Sequence, residues 1–343
     1  MTTLVALWNV SLLLCAIALL ALVVMMIARF IGENRHHKRG GERRRAAAFL
    51  LEGGDWSKAR ERTRLEQDAA AKVTLELAEL VRGPDRAAML KRAEQIGIDR
   101  VLRRHSLSGA AQDRLLAAEA LAMFPTQRER VRQMLADRNP DVRLGAALAL
   151  AQNQAAPPAG ELVRRLGLGS EERSLLIASL MRDLVDTDPA SVESLLADTA
   201  VPDATRLAAI DALAASGRVE HAPLLAQMAE ASAPDSDLLP RIHHALGRIG
   251  HPSGHKAIRH GLANPAWEVR AAAAQAAGQN GLADTAGALG GLLSDPSWWV
   301  RFRAGEALWR LGEAGRAVLT EIARSGDPVA REAAATTLAE RGA

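Results

Sequence analysis

Five histidines fall between residues 243 and 260: His243, His244, His251, His255 and His260. Histidine is the commonest protein ligand for metals, so this is the first place to look for chemistry. His251 and His255 stand four apart, but Pro252 and Gly254 interrupt the helix that would bring both rings to one face. Neither a cysteine nor a paired carboxylate stands beside them at metal spacing. The group is expected to be a surface cluster near two helix ends, without a metal. Phosphate, acyl-transfer and zinc-hydrolase chemistry each need a recognisable arrangement: a Gly-rich loop, a nucleophile elbow or a His-Glu-x-x-His helix. None of these is present, so neither a cofactor nor a catalytic residue is expected.

The tryptophans are more informative. Trp267 and Trp298 each stand three residues ahead of an arginine, Arg270 and Arg301, in closely similar surroundings. Trp299 follows the second, and Arg303 lies four residues beyond it. At the same distance before six other arginines stand Ala111, Pro140, Ser170, Asp203, Leu238 and Pro328, so tryptophan is not demanded by the fold there. Two readings remain open. The rings fill gaps between structural units, or Trp267, Trp298, Trp299 and Arg303 form a ridge for a protein partner, since Trp and Arg are enriched at binding hot spots.

The elements that position these residues follow from a repeat. Arg114, Arg143, Arg173, Arg206, Arg241, Arg270, Arg301 and Arg331 are spaced by 29, 30, 33, 35, 29, 31 and 30 residues. Each is preceded by a helix-breaking cluster and followed by an Ala/Leu-rich run of helical period. Asp295-Pro-Ser-Trp-Trp-Val-Arg301 leads into Val300, Ala304, Ala307, Leu308 and Leu311 on one stripe. Asp137, Asn264 and Asp295 lie six residues before their arginines and are expected to start helices. Gly217, Gly250 and Gly312 are expected to end them. A fixed period of this length with helices on both sides is the mark of a solenoid.

The pattern Asp-Pro-x-x-x-Val-Arg-x-x-Ala-x-x-Ala-Leu, closed by Leu-Gly, resembles bacterial HEAT-like repeats of the phycobilisome-lyase type over roughly residues 107–343. It is strong at 137–152 and 264–343 and weak at 171–182 and 234–250, where its Asp and Val are missing. The resemblance implies that arginine and aspartate bridge consecutive units, so the eight arginines are expected to be structural. It also brings enzymes to mind. A bilin lyase would hold a tetrapyrrole, but no pigment motif distinguishes this chain. A deoxyhypusine hydroxylase would need His-Glu pairs, and there is no His-Glu dipeptide. A HEAT-like DNA glycosylase would need a basic groove.

Charge argues against nucleic acid. Of 43 basic and 40 acidic side chains, seven and two fall in residues 1–45, which leaves residues 46–343 with 36 and 38. The repeat body therefore has no positive field for phosphates. The basic residues gather instead behind an uncharged run from Leu4 to Ala28. At about 1.5 Å per residue this run spans a bilayer core. Charges after the run and none before it point to an uncleaved anchor, not a signal peptide. The positive flank puts the N-terminus outside and the repeats in the cytoplasm. Arg35, Lys38, Arg39, Arg43, Arg44 and Arg45 either only set topology or also lie against anionic headgroups. Cys15, the single cysteine, sits within the apolar run.

The expected architecture is all-α. An anchor (1–32) with a single transmembrane helix is followed by a basic juxtamembrane segment and helical cap (33–106). A right-handed α-solenoid of about eight HEAT-like repeats (107–343) completes it. Within the cap, helices are expected over 43–51, 57–81, 85–96 and 99–105, with breaks at Gly53-Gly54-Asp55-Trp56 and Gly83-Pro84-Asp85. The expected function is that of a scaffold or adaptor in a bacterial inner membrane, binding a cytoplasmic or inner-membrane protein, and not an enzyme. Fold-level analogy suggests an envelope or polysaccharide-synthesis enzyme as the client. The alternative from another class is a lyase-type HEAT enzyme, or a subunit of one, acting on a protein.

Overall fold

The computed structural model describes residues 46–53, 64–167 and 175–342. The expected anchor (Leu4–Ala28), the expected headgroup residues Arg35, Lys38, Arg39, Arg43, Arg44 and Arg45, the turn at Gly54-Asp55-Trp56 and Arg173 lie outside them. Among the described residues no strand occurs, and no helix is long and apolar enough to cross a membrane.

The described residues fall into two compact units, one up to Arg128 and one from Glu129. In the first, α1 (46–52), α2 (Arg64–Leu80), α3 (Gly83–Gln95), α4 (Ile98–His105) and α5 (Ala111–Ala122) follow the expected helical pieces closely. Pro84 stands in the first turn of α3, where its missing N–H costs nothing, and Gly83 with φ of +65° makes the break before it.

The second unit alternates longer and shorter helices. The longer set is α7 (Pro140–Gln152), α9 (Leu175–Thr187), α11 (Asp203–Ser216), α13 (Leu238–Ile249), α15 (Trp267–Gln279), α17 (Trp298–Arg310) and α19 (Pro328–Gly342). Between them run α8 (Ala159–Leu166), α10 (Pro189–Ala197), α12 (Ala222–Ala231), α14 (His255–Gly261), α16 (Ala286–Gly291) and α18 (Glu313–Ser325), with α6 (Arg128–Met134) at the junction of the units. Consecutive longer helices pack on one another from α7 to α19, and α8 packs on α10, α12 on α14 and α16 on α18. This two-layer stacking is a solenoid. A leucine seven residues after the arginine anchors most units: Leu121, Leu150, Leu180, Leu213 and Leu308 are all fully buried.

A helix flanked by two neighbours has no single apolar stripe, and α15 shows the consequence. Its buried residues are almost all alanine, on every side, because α13 and α17 both press on it. A Cβ on Gly278 would lie 2.6 Å from the Cα of Ala307 on α17, and a Cβ on Gly247 would lie 2.9 Å from the Cα of Ala276 on α15. Glycine is the residue that lets these backbones touch. Gly217 and Gly250 end α11 and α13 in the left-handed conformation, as expected. The starts differ from expectation. The side chains of Asp137, Asn264 and Asp295 accept the N–H two residues on, closing a turn ahead of the helix. True caps come from Asn139, Asp188 and Asp327.

Alanine favours a helix over glycine by about 1 kcal/mol. Gly278→Ala should nevertheless lower the denaturation midpoint, because the clash with Ala307 outweighs that gain. Gly287→Ala in α16, with nothing within 4 Å of the new methyl group, should not lower it. Urea unfolding followed by circular dichroism compares the two.

Candidate functional site

The repeat arginines build the frame around the tryptophans. Arg114, Arg143, Arg270 and Arg301 each send Nη1 back to the carbonyl six residues earlier, at 2.8–3.1 Å, and so tie the turn to the helix start. Arg143 also reaches Leu166 O at 3.4 Å in the following helix. The strongest joint is Arg270, whose Nε and Nη2 donate to the two oxygens of Asp295 at 2.7 and 2.9 Å. The side chains of this bridge between consecutive units are only 16% and 5% exposed. Arg206 does a related job, donating to Leu196 O and Asp203.

Arg241 does not belong to this set. Gly247 meets Ala276 as Gly278 meets Ala307, and Gly278 lies eight residues after Arg270. Eight residues before Gly247 is Leu239, which is buried, and Leu246, seven after it, is buried in the usual leucine place. The packing register therefore puts Leu239 where the other units have arginine. Arg241 stands two residues out of step, 48% exposed, with one contact to Asp211 at 3.4 Å. Arg331 is exposed as well. The expectation of eight equivalent structural arginines is corrected to a smaller set.

Outside α9, whose described part starts later, the longer helices begin three residues before the sequence arginine, at Ala111, Pro140, Asp203, Leu238, Trp267, Trp298 and Pro328. Trp267 and Trp298 are thus the first residues of α15 and α17. A first-turn side chain has no preceding turn to pack on. Trp267 is 40% exposed, Trp298 55% and Trp299 51%. The gap-filling alternative does not describe these rings.

Trp298 stacks on Phe302, one turn on, at 5.3 Å between ring centres, and meets Trp299 edge-on at 4.8 Å. This holds the two indoles in fixed positions at the surface. Arg303 lies over Phe302 at 5.5 Å and donates to Glu306 at 3.0 Å, and Glu306 also accepts from Arg341 of α19. Between α17 and α19, Trp298, Phe302, Glu306 and Arg341 border a cleft of about 200 Å³, lined also by Val329, itself 46% exposed. Three of the four expected contact residues thus stand open, and the fourth is engaged locally. Phe302 and Val329 were not foreseen. The period alone could have found Val329, which holds the place of Trp299 one unit on.

The histidines do not form a surface cluster. His243 is buried against Gly261 and Ala273, and a Cβ on Gly261 would lie 2.6 Å from its Nε2. Burial first, and His244 second, bring its pKa down to about 4. His244 is also lowered, by burial and then by Arg241 and Arg303. Among the described residues, no three His, Cys, Asp or Glu side chains are grouped to hold a metal.

A family model described as HEAT repeats matches residues 256–339. No curated protein matches the chain. Among solved structures, Kap121p is 13% identical with a TM-score of 0.48, over 85% of this chain and 40% of that one. The karyopherin Kap121p bound to the SUMO protease Ulp1p gives 13% and 0.47 over the same shares. An engineered protein gives 20% and 0.36 over 87% and 88%. The chain spans about two fifths of the length of the Kap121p chains.

Two predictions arise. Asp295→Ala should cost about 3 kcal/mol in urea unfolding, because it strands the arginine of a buried pair. Asp211→Ala, at an exposed pair, should cost less than about 0.5 kcal/mol. The second concerns His243. Its folded pKa lies below the ordinary value near 6.5, so the unfolded chain takes up the proton first as pH falls. The stability tied to its neutral form is present above pH 6.5 and lost towards pH 4, a change of about 3 kcal/mol. His243→Leu should flatten that part of the stability–pH profile.

Proposed function

We propose that this protein is a membrane-tethered scaffold that holds a protein partner against the row of helix starts carrying Trp267, Trp298 and Trp299. The observation that carries the reading is the exposure of two indoles, Trp267 and Trp298, at equivalent places on adjacent HEAT repeats, with Trp299 exposed beside the second and Phe302 bracing that pair. Large apolar side chains grouped at the surface are a mark of interaction sites, and tryptophan contributes most per residue at such sites.

The tether rests on the uncharged run from Leu4 to Ala28 and the basic residues after it. Tethering keeps the repeats at the membrane surface, which raises the effective concentration for a partner in or at the same membrane without any further contact. In this reading the membrane is the bacterial inner membrane, the N-terminus faces out, and the repeats and their client are cytoplasmic or membrane-bound. Arg35, Lys38, Arg39, Arg43, Arg44 and Arg45 then sit at the headgroups.

The test is the double variant Trp267→Ala/Trp298→Ala of the full-length protein, purified in detergent beside the parent. Partner recovery, read by quantitative mass spectrometry, should fall at least about ten-fold, with the melting temperature within a few degrees, as expected for side chains truncated at the surface. A variant that melts early and still recovers the same partner would refute the reading.

A further inference from the structure

The row of helix starts does not end at Trp267. On its other side, the starts of α11, α13 and α15 border a groove of about 730 Å³. Leu207, Pro240 and Val269 give it apolar lining, and Asp235, Asp237 and Glu268 give it charge. Trp267 stands between Ala266 and Glu268, both of which line the groove. The exposed indole of Trp267 thus belongs to the same helix start as two of the groove's lining residues.

Carboxylates at helix starts have an ordinary explanation, since they complement the helix dipole and cap free N–H groups. Elsewhere in this chain they do so, or serve a joint: Asp188 and Asp327 cap, and Asp295 holds Arg270. In the groove Glu268 stands in the first turn of α15 and Asp237 just before α13, at the positive ends of those helices, but neither makes a cap bond or a joint. Asp237, the residue before α13, makes no side-chain cap bond, and among the described residues the carboxylates of Asp235 and Glu268 have no hydrogen-bond or ion-pair partner. The remaining charges facing the groove are accounted for locally. Asp203 takes Arg206 at 3.1 Å, and Arg241 is drawn to Asp211. His244 is held towards its neutral form by burial. Among the described residues these three carboxylates have no ion-pair partner, and the exposed Trp267 precedes one of them in the chain.

We infer that the groove takes a lysine- or arginine-rich segment of the protein partner, whose cations face Asp235, Asp237 and Glu268 while a neighbouring apolar residue packs on Trp267. The inference rests on the scaffold reading and names the partner's chemistry. The opposite sign of ligand, an acidic segment or a nucleic acid, meets repulsion here. Exposed charges of this kind set specificity and association rate more than affinity, so the binding should be strongly salt-dependent.

The test uses the full-length protein in an uncharged detergent and a fluorescent nine-residue peptide with four lysines, one leucine and serine elsewhere. Its counterpart carries glutamate for lysine. By fluorescence anisotropy the lysine peptide should bind and the glutamate peptide should not, and Asp235→Asn/Asp237→Asn/Glu268→Gln should weaken binding at least about ten-fold. Glu313→Gln/Glu321→Gln, which removes exposed charge away from the groove, should leave it unchanged. Equal binding by the triple variant and the parent, or binding of the glutamate peptide, overturns the inference. So does a several-fold gain in affinity when Arg35, Lys38, Arg39, Arg43, Arg44 and Arg45 are changed to serine, for then the occupant is the chain's own basic run. If the lysine peptide fails while the Trp267/Trp298 double variant still loses its partner, the groove inference falls and the scaffold stands. If that double variant keeps its partner, the scaffold reading falls too.

Discussion

The bridge from Arg270 to Asp295 is the constraint on which the arrangement of the last repeats depends. A guanidinium can satisfy a carboxylate in two places and still carry a third contact. Arg270 uses all of this: two bonds go to Asp295 in the next unit, and Nη1 goes back to the carbonyls of Asn264 and Pro265 in its own turn. One side chain thus fixes the entry of α15 and its relation to the turn before α17. The pair is nearly buried, so its geometry is what offsets the desolvation of both charges. With the turns held, the alanine-rich faces can approach until the backbone of Gly278 touches Ala307.

Fixing the turn leaves the helix start free to vary. The position three residues before Arg270 and Arg301 has no packing duty, and here it carries tryptophan. Joint and ridge are therefore neighbours on one helix with opposite roles. Three residues apart on an α-helix is nearly one full turn. Yet the arginine folds back onto the turn while the indole points into solvent. In the α13 unit the arginine place is filled by the buried Leu239, and the charges around it face a groove in place of a joint.

Much of this was legible in the sequence, because a repeat states the same packing problem several times. The period located the longer helices, and the exchange of residues at the tryptophan position showed that the fold does not require them. The failures are physical. Arg241 lies near the expected spacing, but the step of 35 residues before it contains an extended turn that shifts the register by two, and only the contact of Gly247 with Ala276 reveals this. His243 lies among histidines near helix ends, and its burial depends on Gly261 leaving room for the ring. That is a tertiary fact that no local pattern carries. The acidic groove was missed because its residues come from three units, each unremarkable by itself.

The central claim is that the arginines hold the turns and joints of the repeats while the tryptophans beside them meet a partner. Site-specific photocrosslinking in the full-length protein, in the cell that makes it, tests this most directly. A photoreactive residue is placed in turn at positions 267 and 298 and at positions 270 and 301. The account predicts adducts with one and the same protein from 267 and 298 and none from 270 and 301. Adducts from the arginine positions, with none from the tryptophan positions, would contradict it.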